Sequence, residues 1–266
     1  MPEKLRKVLK EKHPLIHCIT NPISINQCAN AILAVGARPM MAEHPAEVSV
    51  ITGNAGAVLL NLGNLTDVRM ESMRISASEA EKKGIPFVLD VCGAACLFNR
   101  RDYSMELIGA HCPSVIKGNY SEIRALCDPA YRASGVDAEA VSGSEAIRAA
   151  RMLAEKYHTT VLASGETDIV TNGEKVILCH NGTAQLATIT GTGCMQGAIC
   201  AAFLAAEDTA VEAAVAATVM LGVCGELAET EKGSGSFGVN LLDALSTVSD
   251  AEILARKQIE EGTFDE

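Results

Sequence analysis

The 266-residue sequence contains no tryptophan, and aromatic residues make up only 3% of it. Its hydrophobic core must therefore rest on aliphatic and small side chains, within a hydrophobic fraction of 48% that excludes a disordered chain. Basic residues are also scarce, because 22 lysines and arginines face 33 acidic residues and give a formal net charge of −11. An acidic chain without a basic stripe has no electrostatic means of holding a phosphate backbone, so we expect no nucleic-acid partner.

Long hydrophobic runs are missing as well. The longest apolar stretch without a charge lies between Glu212 and Glu226. It is shorter than the about 20 residues that span a bilayer. The charged, amphipathic stretch at 1–13 contains no apolar segment of the kind found in secretory signals. The sequence therefore predicts a soluble, cytoplasmic protein with no membrane partner.

The ten cysteines form no C-x-x-C pair. Without an export signal, this pattern favours reduced thiols that pack as small hydrophobic side chains. His13, His17 and Cys18 are closely spaced, but no second pair of ligands has the spacing of a zinc site. We therefore predict no zinc centre.

Two common nucleotide-binding motifs are absent or misplaced. No G-x-x-x-x-G-K-[ST] sequence occurs, which excludes a P-loop enzyme. The segment from Gly233 to Gly238 satisfies G-x-G-x-x-G, but it follows a predicted helix, whereas a dinucleotide-binding motif follows a strand. We therefore reject a dinucleotide-binding domain.

Short apolar runs alternate with longer helical patterns along the first 164 residues. Such runs are typical of strands buried on both faces of a parallel sheet. Ser24, Thr66 and either Ser142 or Ser144 are predicted helix N-caps, and Gly36 and Gly84 are predicted helix ends. The predicted strands are 15–20, 57–63, 86–91, 114–118 and 159–164, and the predicted helices are 25–35, 67–83 and 145–157.

The pattern changes after residue 164. The sequences DIVTNG and EKVILCHNG predict a hairpin on an antiparallel edge of the sheet. The remainder is predicted to be helical, and the apolar stretch 210–225 indicates an interior helix. Together these elements predict one α/β domain, residues 1–266, in three layers, with a mostly parallel central sheet and helices on both faces. The helices predicted here are 194–206, 208–230 and 239–259.

The segment TGTGC (190–194) leads directly into a long apolar helix. Its glycines allow a sharp turn and close approach of a ligand. The first turn of a helix presents unpaired N–H groups and a positive dipole end, which favour an anion. Cys194 lies in this first turn, where the same field favours a thiolate. The segment therefore predicts a phosphate or oxyanion site, and the alternative is a tight turn that only caps a core helix.

Acidic residues follow two predicted strands. Asn119 and Glu122 are three residues apart at a predicted helix start, which places an amide and a carboxylate on one face. This pair suits hydrated Mg²⁺, although the same pattern is a common helix cap. Asp90 ends the strand at 86–91, at the carboxyl edge where open α/β sheets bind ligands, or it caps a loop there.

Together these segments resemble the hydroxyethylthiazole kinase family of the ribokinase-like superfamily. The T-N-P opening and the G-T-G-C form are specific to that family, whereas N-x-x-E is shared across the superfamily. The resemblance covers nearly the whole chain in order, through 19–30, 39–43, 59–63, 89–94, 117–123, 164–170, 190–194 and 233–245.

This resemblance implies a ribokinase-like fold and an activity in thiamine salvage. The reaction would be Mg²⁺- and ATP-dependent phosphorylation of the hydroxyl group of 4-methyl-5-(2-hydroxyethyl)thiazole. Cys194 stands where most ribokinase-like enzymes carry an aspartate, and it would accept the proton of the substrate hydroxyl. Asp90 and Glu122 would organise Mg²⁺, the latter through water.

The resemblance also assigns binding residues and an assembly. ATP contacts fall on Lys117 and Ser164, and thiazole contacts fall on Met41 and Gly191, with Asn21 nearby. The family is trimeric, which implies a homotrimer whose thiazole pockets lie between neighbouring subunits.

Three positions depart from the family pattern, and all surround the ATP and metal site. Lys117 replaces an arginine, which loses bidentate geometry but keeps the charge. Ser164 replaces a threonine. The usual D-P-V-G sequence becomes Asp90-Val91-Cys92-Gly93, which relaxes a rigid turn.

Two other functions remain as alternatives. One is a nucleotide-dependent dehydratase of hydrated nicotinamide cofactor on the same fold, although such enzymes place aspartate where Cys194 stands. The other is a nucleotide sensor in which Cys194 acts as a redox switch.

Overall fold

Nine strands form one sheet in a computed structural model of the protein, which describes residues 5–132, 141–206 and 209–262. The strand order is β2-β1-β3-β4-β5-β6-β7-β8-β9. The first six strands in this order are parallel, and the last three pair antiparallel. The strands are β1 (Leu15–Ile19), β2 (Arg38–Met40), β3 (Ala57–Asn61), β4 (Phe87–Asp90), β5 (Val115–Asn119), β6 (Thr160–Ser164), β7 (Asp168–Thr171), β8 (Val176–Cys179) and β9 (Ile259–Gly262).

Helices cover both faces of the sheet and complete three layers, which confirms the predicted α/β fold. Side chains of α1, α2 and α8–α11 share one hydrophobic core, and those of α3–α7 share the other. The helices are α1 (Leu5–Lys12), α2 (Ile25–Val35), α3 (Pro45–Thr52), α4 (Asp67–Lys83), α5 (Phe98–His111), α6 (Tyr120–Cys127), α7 (Gly143–Tyr157), α8 (Thr192–Leu204), α9 (Ala210–Ala228), α10 (Ser234–Thr247) and α11 (Asp250–Arg256).

Buried strands alternate their side chains between the two cores. In β3, Leu59 packs into the core beside α8, whereas Val58 and Leu60 pack into the opposite core. Because both faces are covered, the strand is apolar at almost every position. This is why the apolar runs alone were sufficient to predict the five central strands.

Capping side chains fix most of the predicted helix boundaries. The Thr66 hydroxyl accepts a hydrogen bond from the Arg69 N–H at 3.2 Å, and α4 ends at Gly84 in the left-handed conformation. Ser142, and not Ser144, caps α7 through a capping box with Glu145. Ser24 occupies the N-cap position of α2, but its side chain makes no capping hydrogen bond.

The C-terminal part differs from the sequence prediction. The predicted helix at 239–259 is wrong, because α10 begins at Ser234 and ends at Thr247, and a second helix follows. The Ser249 hydroxyl caps this second helix by accepting from the Glu252 N–H at 3.1 Å. The last predicted helical residue, Ile259, instead begins β9, which pairs with β8. The segment from Gly233 to Gly238 opens α10 and follows α9, as predicted.

Helix α9 forms the centre of one helical layer. Within the described part of the chain it is the one helix whose length and hydropathy would allow it to cross a bilayer, and 72% of that stretch is buried inside the protein. Its contacts with α8 and α10 confirm the predicted interior helix.

Candidate active site

Three polar side chains lie side by side at the carboxyl edge of the parallel strands. In the sheet register, Asn61 of β3 pairs with Asp90 of β4, and Asp90 pairs with Lys117 of β5. The Asn61 Nδ2 atom donates to Asp90 Oδ2 at 2.9 Å, and Lys117 Nζ lies 3.4 Å from the same oxygen. All three residues are at least 95% buried. The strands therefore assemble a buried polar row at the carboxyl edge of the sheet.

The Lys117 ammonium is held in its charged form within this row. Burial opposes the charge, but the nearby Asp90 carboxylate prevails and raises the pKa of Lys117. Asp90 uses only one of its carboxylate oxygens in these contacts. The other, Oδ1, is buried and makes no hydrogen bond of good geometry among the residues that the structure describes, although the Cys92 backbone N–H also acts on this carboxyl group. Burying a carboxylate oxygen without a good hydrogen bond is costly, and it leaves a ligand position available.

Helix α8 begins directly against this polar row. Gly191 precedes it with φ +89°, and a Cβ atom there would lie 3.1 Å from the Ser24 Cβ. A Cβ atom on Gly193 would lie 3.2 Å from Lys117 Nζ, and one on Gly197 would lie 3.4 Å from Asp90 Oδ2. The glycines thus allow the first turns of α8 to approach the charged pair closely. The N–H groups of that first turn and the buried ammonium together offer donors and positive charge that could hold an anion.

Cys194 lies in this first turn and is partly buried. Its sulfur accepts hydrogen bonds from Asn21 Nδ2 and from Asn61 Nδ2, both at 3.4 Å. The structure therefore brings together three of the predicted site residues, Asn21, Gly191 and Cys194. It adds Asn61, whose only sequence signal is a polar residue at the end of the apolar strand AVLLN.

The N-x-x-E segment forms the helix cap that was the alternative interpretation of its spacing. Asn119 Oδ1 accepts from the Glu122 N–H at 2.8 Å, and Glu122 Oε2 accepts from the Asn119 N–H at 2.7 Å. Glu122 Oε1 also accepts from the Gly93 N–H at 2.6 Å. Burial and the nearby Asp90 raise the pKa of Glu122. Through these hydrogen bonds Glu122 connects the start of α6 to the loop that follows Asp90.

A cavity of about 650 Å³ opens beside the start of α8. Its lining includes Ser164 at the end of β6 and Thr192 and Gly193 of α8. Lys117 is not part of this lining, but its ammonium lies against Gly193. The two predicted ATP contacts therefore lie on either side of the same glycine-rich turn. A cavity of this volume is typical of small-molecule and cofactor sites.

The sequence analysis missed Asp168, a carboxylate that lines this cavity. Asp168 accepts from the Gly165 N–H at 2.9 Å and from Gln196 Nε2 at 2.8 Å. Gln196 Nε2 also lies 3.4 Å from the Thr218 hydroxyl. Burial raises the pKa of Asp168 to about 6. A glutamine within the otherwise apolar start of α8 was the available sequence signal for this network.

Met41 lies apart from these residues. It follows β2 and packs, partly buried, against the core beneath α8 and α9. A second cavity of about 480 Å³ opens on the other side of Gly191, lined by residues of α2 and α10 together with Thr190 and Met195. Neither this cavity nor the larger one includes Met41 in its lining. The linings of these two cavities also lack Asn21 and Gly191.

Comparison with known proteins adds independent evidence on the family. A family model described as the hydroxyethylthiazole kinase family matches residues 6–251. The chain is 42% identical to hydroxyethylthiazole kinase 2 of Clostridium botulinum over 262 residues, which cover 96% of this chain and 98% of that protein. It is 37% identical to hydroxyethylthiazole kinase 1 of Methanosphaera stadtmanae, and the match covers 95% of this chain and 94% of that protein.

Solved structures show the same similarity. A hydroxyethylthiazole kinase protein from Pyrococcus horikoshii OT3 matches with a TM-score of 0.89 and 34% identity, and the match covers 97% of this chain and 98% of that chain. Pyridoxal kinase from Staphylococcus aureus in complex with ADP matches with a TM-score of 0.67, and the match covers 93% of this chain and 97% of that chain. Its identity is 13%, so this second likeness concerns the fold alone.

Proposed function

Because this chain belongs to the hydroxyethylthiazole kinase family, we propose that it transfers the γ-phosphoryl group of ATP to the hydroxyl group of 4-methyl-5-(2-hydroxyethyl)thiazole. The chain is a kinase of thiamine salvage, and the dehydratase alternative is not favoured by its relatives. The observation that carries the proposal is the position of Cys194, whose sulfur accepts two hydrogen bonds beside the candidate anion site at the start of α8.

The chemistry follows from this position. The oxygen of the alcohol attacks the γ-phosphorus, the bond from that phosphorus to the leaving ADP oxygen breaks, and the hydroxyl proton passes to the Cys194 sulfur. N–H groups of residues 191–194 and the Lys117 ammonium stabilise the negative charge on the transferring group. In this mechanism Cys194 is a proton acceptor and forms no covalent bond with the substrate.

The residues at the carboxyl edge fit a hydrated Mg²⁺ ion. Asp90 Oδ1 is buried and makes no hydrogen bond of good geometry among the described residues, so it offers a hard oxygen ligand. Glu122 already accepts two backbone hydrogen bonds, so it would reach the ion through water. No group of three or more histidine, cysteine, aspartate or glutamate side chains is assembled for a metal in the described segments, which agrees with an ion that keeps most of its waters. Mg²⁺ would supply charge neutralisation for the phosphate groups.

A charge-neutral variant tests the role of Glu122. Glu122→Gln keeps the shape of the side chain, and we expect it to raise the Mg²⁺ concentration needed for half-maximal activity at least tenfold while the KM for the thiazole changes less than twofold. The measurement is a Mg²⁺ titration of the initial rate for variant and parent. Superimposable Mg²⁺ titration curves would remove Glu122 from the metal site.

The binding assignments rest on position. Ser164 and the α8 turn would hold the phosphate groups of ATP in the cavity of about 650 Å³. Asn21, Met41 and Gly191 would contact the thiazole. Neither cavity beside α8 includes any of these three residues in its lining. In a homotrimer, a neighbouring subunit would complete the thiazole pocket, so the active sites would lie between subunits. Ile23, which is 60% exposed and lies two residues after Asn21, supplies an apolar surface for such a contact. Light scattering on the purified protein measures the trimer mass.

Two further parts of the proposal concern the whole chain. The single sheet that runs through the described residues supports one ribokinase-like kinase domain over 1–266. Five cysteines are buried thiols within the described core, which supports a cytoplasmic location because reducing compartments preserve such thiols. They are Cys18, Cys28, Cys179, Cys200 and Cys224.

A coupled assay of ADP release tests the main proposal. We expect rapid ADP release with hydroxyethylthiazole and much slower release with hydroxymethylpyrimidine or pyridoxal as control alcohols. Equal rates with all three alcohols, or no release with the thiazole, would contradict the proposed function.

A further inference from the structure

We propose that Asn61 is a positioning residue which, with Asn21, holds the Cys194 sulfur as a hydrogen-bond acceptor for the reaction. The inference rests on the proposed function, because it describes how the proton acceptor of that reaction is held. The side chain of Asn61 touches Cys194 and Asp90 and acts through them.

The amide of Asn61 is fully used. The residue ends β3 and has no exposed surface. Its Nδ2 group donates to Asp90 Oδ2 at 2.9 Å and reaches the Cys194 sulfur at 3.4 Å. An amide nitrogen carries two hydrogens, so each of these partners takes one. Asn61 therefore links the residue that would bind the metal to the residue that would accept the proton.

The orientation of the two amides is fixed by their neighbours. Asn61 Oδ1 accepts from Asn21 Nδ2 at 3.0 Å and from the Gly63 N–H at 2.9 Å. Asn21 Oδ1 accepts from the Ile23 and Ser24 N–H groups, both at 3.1 Å. Because both oxygens are occupied by donors, flipping either amide would place N–H groups against N–H groups. Both NH₂ groups must therefore face the sulfur.

Gly63 provides a second, independent observation. A Cβ atom at this position would lie 2.7 Å from Asn21 Nδ2 and 2.9 Å from Asn61 Oδ1. Both distances are too short for a side chain, so the two amides need a glycine beside them. Gly63→Ala would therefore displace the amide pair without changing Cys194 or either asparagine.

The pair determines what the sulfur can do. In the described structure, both hydrogen bonds of Cys194 use the sulfur as the acceptor. N–H donors bind an ionised acceptor more strongly than a neutral one. The amides therefore hold the sulfur in place as a hydrogen-bond acceptor at the start of α8.

A double-mutant cycle tests whether Asn61 acts through the sulfur. We expect Asn61→Ala to lower kcat about tenfold or more in the parent, which corresponds to one hydrogen bond to a charged group, while KM for ATP and thiazole stay within twofold. In the Cys194→Ala background the same change should lower the residual kcat less than twofold. Gly63→Ala should show the same dependence on Cys194, and Asn54→Ala, at an exposed asparagine outside the site, should change neither constant.

The opposite pattern would overturn the inference. If Asn61→Ala lowered kcat by the same factor in both backgrounds, Asn61 would act only through Asp90 or through the fold. Circular dichroism verifies that each variant is folded. If Asn61→Ala does not fold, Gly63→Ala takes its place in the double-mutant cycle.

A measurement without substrates separates this inference from the proposed function. Cys194 is alkylated with iodoacetamide at neutral pH in the absence of ATP and alcohol, and peptide mass spectrometry distinguishes it from the other nine thiols. We expect Asn61→Ala to slow alkylation of Cys194 at least threefold. An unchanged or faster rate would contradict the role of Asn61 even in an active kinase, whereas failure of the parent to release ADP would contradict the proposed function alone.

Discussion

The Nζ atom of Lys117 lies 3.4 Å from Oδ2 of Asp90, and the exposed fractions of the two side chains are only 6% and 1%. Each of two opposite charges that are buried away from solvent is stabilised by the other, because removal of either one leaves its partner buried and unpaired. This pair lies beneath the first turn of α8. We therefore expect it to contribute both to the stability of the fold and to the charge of the candidate anion site.

Removing the ammonium alone should destabilise the protein strongly. We expect Lys117→Met to lower the free energy of unfolding by about 3–5 kcal/mol, because the Asp90 carboxylate then stays buried without its partner. Urea denaturation followed by circular dichroism measures this loss. The double variant Lys117→Met/Asp90→Asn should recover most of the stability but none of the kinase activity. If the double variant were as unstable as the single one, packing and not charge pairing would explain the loss.

Gly191 and Gly84 form a matched pair for the glycine-rich turn. Both adopt positive φ, +89° and +65°, but only Gly191 lies beside the site, whereas a Cβ atom on Gly84 would meet nothing within 4 Å. We expect alanine at either position to cost roughly 1–2 kcal/mol of stability. Only Gly191→Ala should also lower kcat, by roughly tenfold to a hundredfold, because the N–H groups of the candidate anion site shift. Equal kcat values for both variants would show that this turn has no role in phosphoryl transfer.

The buried side chain of His17, in β1, should make the stability of the protein depend on pH. Its ring nitrogens lie 2.8 Å from the Thr52 hydroxyl and 3.0 Å from the Ala42 carbonyl oxygen, next to Met41. Burial lowers the pKa of His17, so as the pH falls the unfolded chain takes up a proton before the folded one does. The contribution of His17 to stability should therefore decrease from about pH 7 towards about pH 5, opposite in sign to that of Asp168, whose raised pKa of about 6 lies in the same range.

The slope of unfolding free energy against pH measures this effect. Between about pH 5 and about pH 7 this slope should be less positive in His17→Asn than in the parent. It should remain unchanged in the control His158→Asn, because His158 is exposed and caps α7 in a conformation that asparagine tolerates. Parallel curves for parent and His17→Asn would exclude His17 as the origin of the pH dependence.

Local sequence patterns were sufficient for most of the fold. Runs such as AVLLN predict doubly covered strands because they are apolar at nearly every position, and Thr66 and Gly84 delimit α4 through capping that depends only on neighbouring residues. The strand β9 was missed because IEEG has no apolar pattern and is a strand only through its pairing with β8.

The candidate site was predicted less completely, for a physical reason. Asn21 and Asn61 reach the Cys194 sulfur across sequence separations of 173 and 133 residues, and no local pattern records such contacts. Asp168 and Gln196 likewise meet across the sheet and α8. The glycine-rich turn was identifiable because the left-handed Gly191 and the helix that follows it depend on local backbone conformation, which the sequence TGTGC itself specifies.

Replacing Cys194 tests the central claim most directly. The account assigns Cys194 the role of proton acceptor, so a carboxylate at that position should serve and a hydroxyl should not. We measure kcat by ADP release for Cys194→Asp and Cys194→Ser, with ATP binding and circular dichroism as controls for folding. The predicted result is that Cys194→Asp stays within about tenfold of the parent while Cys194→Ser loses roughly a hundredfold or more. The account is contradicted if a folded, ATP-binding Cys194→Asp enzyme has no turnover, or if Cys194→Ser turns over as fast as the parent.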